Sequence, residues 1–438
     1  MFTTGHEVER WVNNRLKFGI KPGLKRMEWM LERLGNPERH IKTIHVGGTN
    51  GKGSTTTYIR SILQSAGYEV GTFTSPYVEC FNERISVNGI PIQDADLIEA
   101  ANVIKPLSEE LEKTDLGIPT EFETITAMGL YYFAKIHPVD FVIVEVGLGG
   151  RLDSTNVIHP IISVITNISL DHTHILGSTV EEIAFEKAGI IKNGVPVVTG
   201  VRQESAWNVI KEQAKLKKSK VYTMNKDFFV EDLGPIQNGE SFSFSSVFKY
   251  HSHLEVSMLG RHQIENAGLA VMVAQLLYTY FGVIIEEKHI QEGLKHAYWP
   301  GRFEILSQNP TIIMDGAHNE EGMRSFIDTL RRHYPDAFGT ILFTAMKDKA
   351  LDRMVQLLDE TSMNLVFTNF DYPRAANSKE LYELSHTKNK EIEEDWKLFL
   401  NNKIPTLQPE ELLIVTGSLY FISNVKPFIL EFFRKKQK

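Results

Sequence analysis

His45-Val-Gly-Gly-Thr-Asn-Gly-Lys-Gly-Ser54 is the stretch on which the reading of the fold turns. An apolar run, Ile41–Val46, leads into it, and Ser54–Ala66 follows with Tyr58, Ile59, Ile62, Leu63 and Ala66 at helical spacing. The pattern predicts strand, glycine loop, helix. Glycines allow tight backbone turns, their amides can face a phosphate, and a helix N-terminus adds positive potential. Lys52 would reach the outer phosphates and the Ser54 hydroxyl would meet Mg²⁺, with Thr49, Asn50, Gly51 and Gly53 completing the cradle. Gly53 separates Lys52 from Ser54, so the strict form G-x-x-x-x-G-K-[ST] is broken. A plain structural glycine turn is the alternative, but loop, lysine, hydroxyl and helix together favour a nucleotide.

Outward from the loop, strand-like and helix-like segments alternate, as in an α/β fold with parallel strands. Strands are expected at Glu69–Thr74, Val139–Val146, Ile161–Ile168 and Val195–Thr199. Helices are expected at Ala95–Glu112, Glu121–Ile136, Val180–Ile191 and Ala206–Lys217. Phe141-Val-Ile-Val144 is apolar without alternation, which suits a strand covered on both faces. Phe242–Met258 reads as a small β region, followed by a helix with Ile264, Ala267, Gly268, Val271 and Tyr278 on one face. Trp299-Pro-Gly-Arg302 punctuates the chain and marks a domain boundary, giving domains 1–298 and 299–438. Past it, strand cores at Thr311–Met314, Thr340–Thr344, Leu365–Thr368 and Leu412–Val415 alternate with helices in a second, smaller α/β unit. The basic tail, Arg434–Lys438, reads as a short solvated terminus.

The chain has 438 residues, 42% hydrophobic and 23% charged, with a net charge of −8. That excludes broad disorder and a nucleic-acid binder driven by bulk charge. The only cysteine, Cys80, excludes an intrachain disulfide and a Cys-rich metal cage. The start of the chain lacks the apolar core of a signal peptide, and no apolar run approaches the ~18 residues that span a bilayer. A cytoplasmic, membrane-free protein is expected.

Several polar residues fall at strand ends, where open α/β sheets bind ligands. Glu145 closes an apolar strand just before Gly147-Leu-Gly-Gly-Arg-Leu-Asp-Ser-Thr-Asn156 and could hold Mg²⁺. Ser75 ends another strand, and His172 of Asp171-His-Thr-His174 lies beyond a third. Lys187 shares the apolar face of its helix with Val180, Ile183, Ala184, Ala188 and Ile191, so it is partly desolvated and its neutral amine is favoured. Such an amine can react with CO₂ to give a carbamate. The residues alone favour a plainer reading: a lysine near a helix C-terminus that snorkels and complements the dipole. Arg302, Asp315 and His318 could act on phosphoryl charge, ribose and a co-substrate if the domains face each other. An interdomain salt bridge and a helix cap at Asn319 explain them equally well.

With these residues assembled, the chain resembles folylpolyglutamate synthase and the related bifunctional dihydrofolate synthase, within the ATP-dependent Mur ligase superfamily. The matching blocks are GGTNGKGS (47–54), TSPYVECFNERISVNG (74–89), EVGLGGRLDSTN (145–156), ITNISLDHTHILG (165–177), EEIAFEKAGIIK (181–192), WPGRFE (299–304) and DGAHN (315–319). Gly53 is the family's own form of the loop. The resemblance implies a P-loop-type ATPase domain with a mostly parallel sheet, then a Rossmann-like C-terminal domain. It implies that ATP converts a folate carboxylate to an acyl phosphate, which the amine of L-glutamate attacks. Lys52 and Ser54 would hold phosphate and Mg²⁺. Ser54, Ser75, Glu145, His172 and a CO₂-carbamylated Lys187 would serve two Mg²⁺ sites, which reverses the plainer reading of that lysine. Asn266, Arg302 and Asp315 would contact ATP. Phe81, Arg84, Thr120, Glu121, Phe122, Glu123, Arg151, Leu152 and Asp153 would line the pterin and carboxylate side, and His318 and Ser418 would meet glutamate. The first substrate would be a reduced folate or dihydropteroate, and the chain a monomer.

Two rivals are a muramyl-peptide ligase and a nucleotide-dependent switch that forms no amide. Only 46 residues precede Gly47, little room for the UDP-sugar domain that the first would carry.

Overall fold

The computed structural model describes residues 1–19 and 21–436; Gln437 and Lys438 of the basic tail lie outside that range. The chain divides into two compact units. One comprises Met1–Glu231, Ser243–Leu254 and Glu265–Ala297; the other comprises Asp232–Phe242, Glu255–Ile264 and Tyr298–Lys438. A single cut between 298 and 299 therefore leaves two short segments on the wrong side. The reason is local. Asp232 and Glu240, in those segments, bind Arg332 at 2.6 and 2.8 Å, and Glu240 also binds His333 at 2.6 Å.

The first unit is built on strands β1 (Thr43–Gly47), β2 (Val70–Phe73), β3 (Ile85–Val87), β4 (Ile90–Pro91), β5 (Phe141–Glu145), β6 (Ile162–Ile165), β7 (Val197–Thr199) and β8 (Val221–Thr223). They form one sheet in the order β4-β3-β2-β5-β1-β6-β7-β8. From β2 to β8 every pairing is parallel, while β3 and β4 add an antiparallel edge. From β1 the chain steps to one side, reaching β2, and after β5 it steps to the other, reaching β6. Ligands of such sheets bind where the order reverses, at the strands' carboxyl ends. Val142 and Val144 of β5 pack with Val8, Met30, Ile104 and Ile125 from the covering helices. Val146, just past β5, joins the separate cluster of Ile165, Ile183 and Val197. Burying each such side chain contributes roughly 1.5–3 kcal/mol.

The helix after β1 runs Lys52–Ser65, and the next expected helices are found at Asp94–Leu111 and Glu204–Leu216. The helix expected over Glu121–Ile136 is α-helical only to Tyr131 and finishes in a π-turn over Tyr132–Ile136. The helix carrying Lys187 ends at Ala188 rather than Ile191, because Gly189 caps it. The β region begins earlier than expected, as β9 (Phe228–Ile236), β10 (Gly239–Ser246) and β11 (Tyr250–Val256) in a three-stranded sheet. The helix Arg261–Phe281 buries Ile264, Ala267 and Val271, but Tyr278 is 61% exposed. That correction follows from the last turn, where Tyr278, Tyr280 and Phe281 all emerge into solvent.

The second unit holds β12 (Glu304–Gln308), β13 (Thr311–Asp315), β14 (Gly339–Phe343), β15 (Asn364–Asn369), β16 (Lys390–Asp395) and β17 (Leu412–Thr416), in the order β12-β13-β17-β14-β15-β16. All pairings are parallel except β12 with β13. The sequence does not announce the two edge strands. β16 reads Lys-Glu-Ile-Glu-Glu-Asp, a charged edge that resists pairing with another chain and carries no apolar run. Among the described residues no helix is long and apolar enough to cross a membrane.

Candidate active site

Register brings the first unit's candidates to one end of the sheet. Val46 pairs with Glu145, Gly47 with Ile165, and Phe73 with Val144. The phosphate loop, Glu145, Ser75 and the Thr166–His172 segment therefore leave adjacent strands at their carboxyl ends. The loop's shape needs glycine. Gly48 has φ 145° and a Cβ there would lie 1.8 Å from Thr166 Oγ1; Gly51 has φ 80° and a Cβ there would lie 2.3 Å from Asn266 Oδ1. Asn266 thus packs directly against the loop.

The segment after β6, which sequence reasoning did not single out for this task, holds the loop from beneath. Thr49 N–H donates to Asn167 O at 3.0 Å and Asn50 N–H to Asn167 Oδ1 at 2.8 Å. The Thr166 hydroxyl donates to Asn50 O at 2.6 Å. The amides left for a phosphate are those of the first helical turn, Lys52 to Ser54, which have no intrahelical acceptor.

Two amines meet on one carbonyl of this loop. Lys52 Nζ donates to Gly48 O at 3.2 Å and to Thr49 O at 3.1 Å, and Lys187 Nζ donates to Gly48 O at 2.8 Å. Lys187 is 4% exposed. It does not snorkel; its amine lies inside, against the phosphate loop. Burial brings its pKa down to about 7, the Lys52 charge pushes the same way, and Asp171 and Asp153 oppose. Glu145 and Ser54 are buried, whereas Ser75 and His172 are half-buried. Among the described residues no group of three or more His, Cys, Asp or Glu forms a metal cage. The hard oxygen donors Ser54, Ser75 and Glu145 suit Mg²⁺, which takes one or two carboxylates and completes its shell with phosphate and water. The donor set therefore fits a Mg–nucleotide.

The expected substrate residues divide into two groups. Arg84 is buried, pairs with Glu121, and lies within 6 Å of the Phe81 and Phe122 rings. A Cβ on Gly147 would lie 2.5 Å from the Phe122 ring, so this group borders the turn after Glu145. Thr120 and Glu123 are engaged structurally: they form the capping box of helix Glu121–Tyr131, and Glu123 also binds Arg26 at 2.8 Å. Arg26 carried no motif and was not foreseen. Arg151 pairs with Glu186 at 2.8 Å, and Leu152 is at the surface. Asp153 is buried, which raises its pKa against the hydrogen bonds that lower it. It accepts from Leu148 N–H at 2.8 Å and from the Thr155 hydroxyl, which in turn meets His45 Nε2 at 2.9 Å. His45, fully buried in β1, has its pKa lowered to about 3 by burial and then by the Lys192 charge. It is neutral, and it too was missed because it reads as part of an apolar strand.

The second unit places its candidates at the carboxyl ends of β13 and β17, where Asp315 pairs with Thr416. Asp315 Oδ2 accepts Phe303 N–H at 2.7 Å and Oδ1 accepts Ala317 N–H at 2.8 Å. Burial raises its pKa and Arg302 pulls the other way. His318 Nδ1 lies 2.8 Å from Gly316 O, which fixes that ring nitrogen as the donor. Asn319 caps the helix Glu320–His333. Ser418 is buried just past Gly417, at the start of helix Leu419–Lys436.

Residues 46–274 match the Mur ligase middle domain and residues 301–419 the Mur ligase glutamate ligase domain. The chain is 45% identical to the dihydrofolate synthase/folylpolyglutamate synthase of Bacillus subtilis, covering 97% of this chain and 99% of that one. Among solved structures, it is similar to the Mycobacterium tuberculosis folylpolyglutamate synthase complexed with ADP. That match has a TM-score of 0.88 and 27% identity, with 97% of each chain covered. It is also similar to a folylpolyglutamate synthase (FPGS) complex with AMPPCP and folate, with a TM-score of 0.84 and 32% identity. That match covers 98% of this chain and all of the other.

Proposed function

From the premise that this chain belongs to the Mur ligase family, with both its middle and its glutamate ligase domains, we propose that it is an ATP-dependent ligase joining L-glutamate to the terminal carboxylate of a folate. The observation that carries the reading is the meeting of Lys52 and the buried Lys187 on the carbonyl of Gly48 in the phosphate loop. An uncatalysed carboxylate is a poor electrophile, so it must be activated. A carboxylate oxygen attacks the γ-phosphorus of ATP and ADP leaves, giving an acyl phosphate. The amine of glutamate then attacks the acyl carbon, loses its proton, and expels phosphate, which keeps the former carboxylate oxygen. Both steps build negative charge, and preorganised cations are the efficient way to hold it.

Lys52 and the first turn of its helix bind the phosphates, and Asn266 packs beside them. Arg302 takes phosphoryl charge, Asp315 orients the nucleotide, and His318 and Ser418 contact glutamate. Arg84, Glu121, Phe122 and Asp153 border the folate. Ser54, Ser75, Glu145, His172 and Lys187 would hold Mg²⁺, which would neutralise charge on the phosphate oxygens. Lys187 enters as its carbamate: the neutral amine adds to CO₂, an N–C bond forms, and a proton is released. Its burial against the loop and the Lys52 charge beside it, both of which favour the neutral amine, support that reading. Dihydropteroate is proposed as a second acceptor, since it offers the same carboxylate one glutamate earlier. The chain is proposed to work as a cytoplasmic monomer.

Mass analysis of products tests the function, with dihydropteroate and tetrahydrofolate offered separately beside Mg-ATP and glutamate. Each accepted substrate gains one glutamate residue. ATP hydrolysis at full rate without glutamate, and no new amide, would instead identify a nucleotide switch.

A further inference from the structure

Arg302 stands in the segment Tyr298–Glu304, and two carboxylates of the second unit grip the backbone on either side of it. Glu304 Oε2 accepts Gly301 N–H at 2.9 Å, and Asp315 Oδ2 accepts Phe303 N–H at 2.7 Å. The conformation they hold is unusual. Gly301 has φ 68° and Phe303 has φ 44°, a left-handed backbone that a bulky residue rarely adopts unless its surroundings over-determine it. The Phe303 ring is buried, 5.8 Å from Phe326 and 6.2 Å from Tyr334 between centroids. Arg302 Nη1 donates to Gly301 O at 3.2 Å, and a Cβ on Gly316 would lie 2.5 Å from it. The guanidinium is thereby set by backbone geometry.

Glu304 is itself fixed from a distant part of the chain. Its Oε1 lies 2.6 Å from Lys426 Nζ, with the two side chains only 8% and 4% exposed, and accepts the Tyr298 hydroxyl as well. Lys426 also reaches that hydroxyl at 3.3 Å. A buried ion pair is seldom more stabilising than a well-packed apolar pair of the same size. Its use here is geometric: a Glu304 side chain held by Lys426 is what keeps Gly301 N–H, and hence the turn into Arg302, in place.

We propose that Glu304 and Lys426 are positioning residues for Arg302, a buried ion pair that fixes the turn from which its guanidinium extends. The inference rests on the proposed role of Arg302 in phosphoryl transfer. Steady-state kinetics on the full chain test it, with Arg302→Ala, Glu304→Gln, Lys426→Met, Lys426→Arg, Tyr298→Phe and the Arg302→Ala/Glu304→Gln and Arg302→Ala/Tyr298→Phe pairs. Glu304→Gln and Lys426→Met are expected to lower kcat by about 10-fold or more while KM for ATP stays within about 3-fold. Lys426→Arg restores much of the loss. In the Arg302→Ala background, Glu304→Gln costs less than about 2-fold more, because coupled residues are non-additive. Tyr298→Phe removes one donor and leaves the ion pair intact, so it remains informative if the ion-pair variants misfold. It is expected to lower kcat by about 2-fold in the parent and not at all in Arg302→Ala. Unchanged kcat in Glu304→Gln and Tyr298→Phe, or equal losses in both backgrounds, overturns the inference. Full activity in Arg302→Ala overturns instead the assignment of Arg302, and the inference with it.

Discussion

Both units end a parallel sheet in polar residues, yet they furnish those ends in opposite ways. In the first unit the backbone is the instrument. Glycines bend the loop, the segment after β6 ties it down, and two lysines converge on Gly48 O. In the second unit carboxylates are the instrument: Glu304 and Asp315 hold the turn that carries a single arginine. A site that must surround an anion needs amides and cations packed closely. A site that must deliver one cation needs its backbone pinned. Burial disfavours the charged form in both, and so lowers the pKa of Lys187 in one unit and raises that of Asp315 in the other.

The largest expected effect breaks the first unit's side of the comparison. Lys187→Ala should lower kcat by ~10³-fold or more with ATP binding within a few-fold, whereas Lys52→Ala should weaken turnover and ATP binding together. Turnover kinetics beside calorimetric ATP titration separate the two. Full activity of Lys187→Ala at ambient CO₂ removes the carbamate.

The glycines sharpen the contrast. Gly48→Ala forces a Cβ onto Thr166 in a left-handed backbone and should cost about 3 kcal/mol of stability. Gly316→Ala meets side chains rather than backbone, Leu419 Cδ2 at 2.3 Å and Cγ at 3.1 Å and Arg302 Nη1 at 2.5 Å. Its stability loss should be nearer 1 kcal/mol, with a disproportionate loss of kcat through the displaced guanidinium. Denaturant unfolding and kinetics on the same samples check both halves.

Acid should also find two histidines, His45 and the half-buried His262. The pKa of His45 is lowered from 6.5 to about 3, and that of His262, in the second unit, to about 4, in each case chiefly by burial. Below pH 6.5 the unfolded chain gains a proton that folded His45 refuses, so stability is present above 6.5 and lost as pH falls toward 3. The loss from His45 reaches roughly 5 kcal/mol at the acid end. His45→Gln should flatten this limb, so its stability deficit against the parent narrows on acidification; a deficit constant with pH would show that His45 does not titrate this way. The smallest effects are the caps: Thr120→Ala and Asn319→Ala should each cost ~1 kcal/mol in unfolding experiments.

Much of the first unit was legible because its logic is local. Strand, glycine loop and helix are contiguous, and Glu145 interrupts an apolar run just before the glycine-rich Gly147–Gly150. Lys187 was readable as a face but not as a direction: periodicity places it on the apolar side and cannot say that Nζ reaches Gly48. His45 hides in an apolar strand, and its partner Thr155 lies far along the chain. β16 escaped notice because a charged edge has no apolar signature, and β9 because it alternates across a half-exposed sheet. Lys426 carries no motif at all; only tertiary packing brings it to Glu304.

The proposed reaction requires ATP to activate the acceptor's carboxylate before the amide forms. Tetrahydrofolate labelled with ¹⁸O in its terminal carboxylate, incubated with Mg-ATP, glutamate and the intact chain, tests this through the mass of the released phosphate. One ¹⁸O atom is expected in the inorganic phosphate for each amide made, and unlabelled phosphate accompanying amide formation would rule out the acyl phosphate.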